Sequence, residues 1–197
     1  NEIDISGPNA PEVAVNPENW TTSQSFTATW NELSDSSEIN RYEYSVDYGE
    51  WANNGASSSV AINVVEQGIH VLRVRGVDNA GNIGQEGFAE LKMDNTPPNT
   101  PAVVETLLRD GEWNSVNSAK FKWNNPGDYG SGVDKFIGSL DSVEVQLGKQ
   151  LEHQINLTDG LHSFKVKAID ALQQESEWSN EISVKIDTHA PTLPTLN

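Results

Sequence analysis

The sequence predicts an all-β chain built as two tandem β-sandwiches of about seven strands each. Apolar side chains recur every second residue in short runs, with no helical period anywhere in the chain. The runs are bounded by Gly, Pro, Asn, Asp and Ser, residues that supply turns and interrupt ladders. One segment also occurs three times: Asp4-Ile5-Ser6-Gly7-Pro8-Asn9-Ala10-Pro11 returns as Asp94-Asn95-Thr96-Pro97-Pro98-Asn99-Thr100-Pro101 and as Asp187-Thr188-His189-Ala190-Pro191-Thr192-Leu193-Pro194. The copies are about 90 residues apart, the size of one small sandwich domain.

In the first module strands are expected near Glu12 to Val15, Ser25 to Trp30, Arg41 to Asp47, Trp51 to Ala52, Val60 to Val64, Ile69 to Val77 and Phe88 to Met93. The second repeats them near Ala102 to Glu105, Ala119 to Trp123, Lys135 to Ile137, Ser142 to Leu147, His153 to Leu157, His162 to Ile169 and Ser179 to Ile186. Phe26-Thr27-Ala28-Thr29-Trp30 and Ala119-Lys120-Phe121-Lys122-Trp123 alternate as half-buried strands do, which puts Trp30 and Trp123 in the core with Tyr42, Phe136, Val74 and Val166. Trp20 and Trp113 keep the same spacing to them and are expected to pack at the module ends. The closest internal match pairs Gly68-Ile69-His70-Val71-Leu72-Arg73-Val74-Arg75-Gly76-Val77-Asp78 with Gly160-Leu161-His162-Ser163-Phe164-Lys165-Val166-Lys167-Ala168-Ile169-Asp170, with basic residues on the outward parity of both. Proline lacks the ladder N–H, so the proline segments are expected to be stiff connectors. The resulting division is a start or linker at 1–11, a module at 12–94, a linker at 95–101, a module at 102–187 and a linker at 188–197.

The residues resemble fibronectin type III modules and the Ig-like repeats of large bacterial or archaeal surface proteins. The resemblance rests on Trp30…Asp35…Ile39…Tyr42-Glu43-Tyr44, on Trp123…Pro126-Gly127-Asp128…Val133…Phe136, and on Arg73-Val74-Arg75-Gly76-Val77-Asp78-Asn79-Ala80-Gly81-Asn82. Tyr44-Ser45-Val46-Asp47…Trp51 and the Asp-x-x-x-Pro segments carry the likeness to the surface repeats. His70 and His162 stand about where the fibronectin type III family carries the tyrosine of its corner motif. The resemblance implies a non-catalytic structural spacer or stalk in a modular extracellular or cell-surface protein. An adhesin-like glycan- or protein-binding module, or an accessory domain of a secreted polysaccharide-degrading enzyme, is the alternative.

Composition narrows the function further. The chain has 197 residues, with 12 Lys and Arg against 29 Asp and Glu for a net charge of −17, so it repels phosphate backbones and anionic headgroups. No nucleic acid and no membrane insertion are expected, because no apolar run approaches ~18 residues. Without cysteine there is no disulfide, thiolate metal site or cysteine nucleophile. Gly-x-Ser-x-Gly, His-Glu-x-x-His and phosphate-cradling glycine loops are also lacking, and acidic pairs too common to single one out leave no catalytic candidate. The lysines lie mostly outward, against an isopeptide crosslink to Asn. The expected partners are neighbouring modules of the same chain, with a glycan or protein as a further ligand, and the fragment is read as a monomeric excerpt of a longer array.

Two sets of site residues follow. Asp4, Asp94 and Asp187, at the repeated segment, stand near loops carrying Asp78, Asn82, Asp170 and Glu175, and calcium, which takes six to eight oxygens, is the cofactor such a set would hold. The competing role is Asx-turn formation with the local backbone. Trp51 and Trp178, least constrained by the repeat, are the candidates for stacking on a sugar ring. His70 and His162 are read as structural hydrogen-bonding groups, since the repeat places them in different modules. Asn19-Trp20-Thr21 and Asn156-Leu157-Thr158 match the glycosylation sequon and fit an extracellular setting.

Overall fold

The computed structural model describes residues 3–193, which fall into two compact units, one ending at Thr96 and the other beginning at Pro97. The first contains β1 (Val13–Asn16), β2 (Ser25–Trp30), β3 (Ile39–Val46), β4 (Ala52–Asn53), β5 (Ser59–Asn63), β6 (Gly68–Asp78) and β7 (Gly87–Met93). A three-stranded sheet β1-β2-β5 faces a four-stranded sheet β4-β3-β6-β7, all strands antiparallel. The second contains β8 (Val103–Thr106), β9 (Trp113–Asn114), β10 (Ser118–Trp123), β11 (Val133–Leu140), β12 (Val143–Gly148), β13 (Glu152–Asn156), β14 (Gly160–Asp170) and β15 (Ile182–Ile186). Here a sheet β13-β10-β8 faces a sheet β12-β11-β14-β15-β9.

Period-2 alternation fills each interior. Along β2 and β10 every second residue is buried, and these rows meet Leu72, Val74, Leu91 and Met93 in the first unit and Phe164, Val166, Val184 and Ile186 in the second. Trp30 lies edge-on to Tyr42 with ring centroids 5.6 Å apart at 63°, and Trp123 meets Phe136 at 5.9 Å and the same angle. All six positions assigned to the core are buried, from 0% exposed for Val74 and Val166 to 6% for Trp30. The asparagine after each tryptophan ties in the first strand: Asn31 Oδ1 accepts the Glu12 N–H at 2.6 Å, and Asn124 Oδ1 accepts the Ala102 N–H at 2.7 Å.

Three features differ from the expected layout. The two-residue β9 adds to β15 in parallel, pairing Trp113 with Lys185 and Asn114 with Ile186; in the first unit Thr21 makes the corresponding bridge to Met93. Strand β15 starts at Ile182 rather than Ser179: the Ser176 and Ser179 N–H groups still donate to the Ala168 and Val166 carbonyls, but their hydroxyls, not their carbonyls, accept the Ala168 and Val166 N–H groups. The first two proline segments, expected to be stiff connectors, bury prolines in the units that follow them. Pro8 and Pro11 are buried in the first unit, and Pro98 and Pro101 in the second. Residues 1, 2 and 194–197 of the terminal segments lie outside the described residues.

The first of these segments runs backbone to backbone along the approach to β7. Pro8 O accepts the Gln85 N–H at 2.9 Å. A Cβ at Gly84 would lie 2.5 Å from Pro8 O, and one at Gly87 would overlap Pro11 O. The aligned positions of the second unit are Ser176 and Ser179, and there Asn180 Oδ1 takes the Val103 N–H at 2.9 Å instead. The expected outcome of Gly87→Ala is therefore a loss of about 1 to 3 kcal/mol in urea denaturation of the first unit, with the unfolding of the second unchanged.

Candidate functional site

The acidic loops at one end of the first unit gather the charge that the sequence singled out. Asp4, from the entering segment, Asp35, from the loop between β2 and β3, and Asp78, at the end of β6, bring carboxylate oxygens within 4.8 Å of one another. Each is held by its own donors. Asp4 accepts the Ser6 N–H and hydroxyl and the Ser36 hydroxyl, at 3.1, 3.0 and 2.8 Å. Asp35 accepts the Ser37 N–H at 3.1 Å. Asp78 accepts the Asn82 N–H and side-chain amide at 2.7 and 2.8 Å, and the same amide reaches Asp4 O at 3.2 Å. The Ser6 amide and the Ser36 and Ser37 hydroxyls hold the Asp4 carboxyl well below the usual range. Burial opposes charge on Asp78, but the Asn82 donors outweigh it, so its carboxyl also titrates low.

The other predicted acids do related structural work. Asp170 accepts the Leu172 and Gln174 N–H groups and the Gln174 side-chain amide, each at 2.8 Å, so Gln174 repeats the bond that Asn82 makes to Asp78. Asp94 is buried, donates its N–H to Thr21 O at 2.9 Å and accepts the Thr96 N–H. Asp187 accepts the His189 N–H at 3.1 Å and lies with Asp159 and His189 in an exposed group. All three repeated aspartates thus form Asx turns with the residue two positions on. Asp4, Asp78 and Asn82 are brought together; Asp187 lies in the second unit with Asp159 and His189. Asp35 was not among the predicted ligands. Its signal was the acidic turn that follows each core tryptophan.

Trp51 and Trp178 are both half-buried, and each covers the basic pair on the long central strand of its own sheet. Arg73 and Arg75 of β6 lie 4.6 and 3.8 Å from the Trp51 ring centroid, and Lys165 and Lys167 of β14 lie 5.1 and 4.9 Å from that of Trp178. The two tryptophans come from opposite sides. In the first unit Trp51 comes from the β3–β4 hairpin and Glu86, beside β7, reaches Arg73 at 3.4 Å. In the second, Glu144 of β12 faces Lys167 at 3.9 Å, and Trp178, at the position aligned with Glu86, comes from the approach to β15. Both rings therefore serve as cation–π covers within the sheet. Trp113 departs from expectation in the other direction: it is 65% exposed on β9 rather than packed.

No protein-family model matches the sequence, and no curated protein matches it. Among solved structures, the chain is similar to the fibronectin(III)-like modules of Clostridium thermocellum CbhA, at 10% identity over 94% of this chain and 100% of that one, with a TM-score of 0.40. It is also similar to the FN1-FN3 domains of chicken CNTN1, at 17% identity over 92% of this chain and 68% of that one, again with a TM-score of 0.40.

If the indoles are covers, removing them costs stability. Trp51→Ala should destabilise the first unit by about 1 to 3 kcal/mol and Trp178→Ala the second by a similar amount, read as separate shifts in urea unfolding. An unchanged midpoint for either variant would show that its ring contributes nothing to the sheet.

Proposed function

We propose that this chain is a pair of non-catalytic spacer modules in a modular extracellular or cell-surface protein. One observation carries the reading: prolines of the repeated segment are buried in the units, Pro8 and Pro11 in the first and Pro98 and Pro101 in the second. A repeat that includes its own connector is a self-contained block, which is what serial joining into a stalk requires. In support of the reading, Trp51 and Trp178 cover cations of their own sheets and the repeated aspartates make Asx turns. No helix among the described residues is long and apolar enough to cross a membrane.

A second reading is favoured by the carboxylates of Asp4, Asp35 and Asp78. Three hard oxygen donors this close suit calcium, whose binding would fix the entering segment to the β2–β3 and β6–β7 loops and stiffen the start of the block.

Thermal unfolding in calcium, in EDTA and in a panel of soluble sugars separates these readings. A ligand at a hundred times its dissociation constant adds about 2.7 kcal/mol, enough to move the midpoint by several degrees. Coincident melts are the result expected of a plain spacer. A calcium shift abolished by Asp78→Asn identifies a metal-stiffened stalk, and a sugar shift overturns the spacer reading in favour of a binding module.

A further inference from the structure

His70 and His162 open the long central strands of their sheets, on the inward parity, opposite the buried Leu91 and Val184. Each ring bridges two separate pieces of chain. His70 Nδ1 lies 2.6 Å from Asp47 Oδ2, in the turn after β3, and Nε2 lies 2.8 Å from the Glu66 carbonyl, in the loop after β5. His162 repeats this at 2.7 Å from Asp141 Oδ2, in the turn after β11, and 2.8 Å from the Thr158 carbonyl, in the loop after β13.

The aspartates are anchored as well. Asp47 Oδ1 accepts the Val71 N–H at 2.9 Å while its own N–H donates to Val71 O at 2.9 Å; Asp141 makes the matching pair with Ser163 at 2.8 and 3.0 Å. Both aspartates sit at positive φ in a tight hairpin turn, at 50°, followed by Tyr48 at 60° and Ser142 at 70°. Left-handed conformations at two successive positions define the turn that suits a twisted hairpin, and Asp tolerates them better than most residues.

The chemistry of the partners decides the protonation state. A carboxylate and a peptide carbonyl offer only lone pairs, and a neutral imidazole has a single N–H. With Nδ1 and Nε2 both facing acceptors, only the imidazolium donates to both; the neutral ring leaves one nitrogen lone pair against an oxygen lone pair. We propose that each module is closed at this end by a histidinium latch, which joins the hairpin turn to the loop entering the central strand and opens as the histidine loses its proton.

The charged groups facing the latches are Asp47 and Glu66 around His70, and Asp141 around His162; the strands opposite present Leu91 and Val184. Burial opposes charge on both rings, but the aspartate and the loop carbonyl outweigh it, so both imidazoles titrate above their ordinary value. A base whose folded pKa is raised stabilises the fold fully below the unfolded value of about 6.5 and ceases to do so as pH rises through the folded value. His153 acts in the opposite sense. Burial pushes its pKa down, so it opposes folding as pH falls below about 6.5. The latches therefore set the alkaline limb of the stability profile and His153 contributes to the acid limb.

The test is a histidine-ring NMR titration of the full chain between about pH 5 and about pH 9, alongside urea midpoints over the same range. Two rings should titrate above the ordinary value of about 6.5, and the midpoints should fall on the alkaline side. Asp47→Asn and Asp141→Asn, which keep an oxygen acceptor but remove the charge, should each bring one ring back towards about 6.5. His70→Gln with His162→Gln should flatten the alkaline limb. Both rings titrating at or below about 6.5, or an alkaline limb that survives the double histidine variant, would overturn the latch.

Discussion

The burial of the prolines that precede the first strand is the constraint on which the rest of each module depends. A three-stranded sheet facing a wider one leaves an open side where the first and last strands part, and apolar residues behind it need a cover. Proline is suited to that place, since it has no N–H to leave unpaired and its backbone is already restricted. In the first unit the cover lies so close to the approach to β7 that Gly84 and Gly87 have no room for a side chain. Each unit therefore includes its proline segment ahead of its first strand.

Each module solves the remaining problems with the same geometry and different residues. The basic pair on the long central strand carries a tryptophan over it in each unit, from opposite sides, with glutamates beside it: Glu43 and Glu86 in the first, Glu144 and Glu175 in the second. Glycines allow close backbone approach in one unit, where serines in the other turn their hydroxyls onto the neighbouring strand. The loop after the central strand is held by an aspartate and a side-chain amide four residues on, Asn82 in one and Gln174 in the other. Its left-handed position is Gly81, at φ 89°, in the first and Gln173, at 66°, in the second. Such exchanges preserve function of position while erasing identity, so likeness between the modules is concentrated in the central strand and in the core tryptophans.

This explains what could be read from the sequence. Alternation with turn residues defines strands because one face of every long strand is buried, and β2 falls on its expected bounds from Ser25 to Trp30. Strand β9 joins its sheet in parallel through a tertiary contact with β15 that no local alternation encodes, and β15 starts later than alternation suggests because the Ser176 and Ser179 hydroxyls take the neighbouring N–H groups that ladder carbonyls would accept. The aspartates were legible as a group near the loops, but Asp35 joins Asp4 and Asp78 only through tertiary folding. Trp51 and Trp178 looked unconstrained because their cationic partners lie on another strand, outside any local pattern. His70 and His162 were recognisable as structural groups from the repeat; the partners that require their proton come from a turn and a loop more than 20 residues and four residues away, respectively.

The central claim, that a module includes its proline segment, is tested most directly by urea denaturation of a first-module fragment spanning residues 4–96 beside one spanning 12–96. Loss of the buried prolines and of the Pro8–Gln85 bond should lower the stability of the shorter fragment by about 2 to 4 kcal/mol, or prevent it from folding. Equal midpoints for the two fragments would show that the segment is a free linker outside the module.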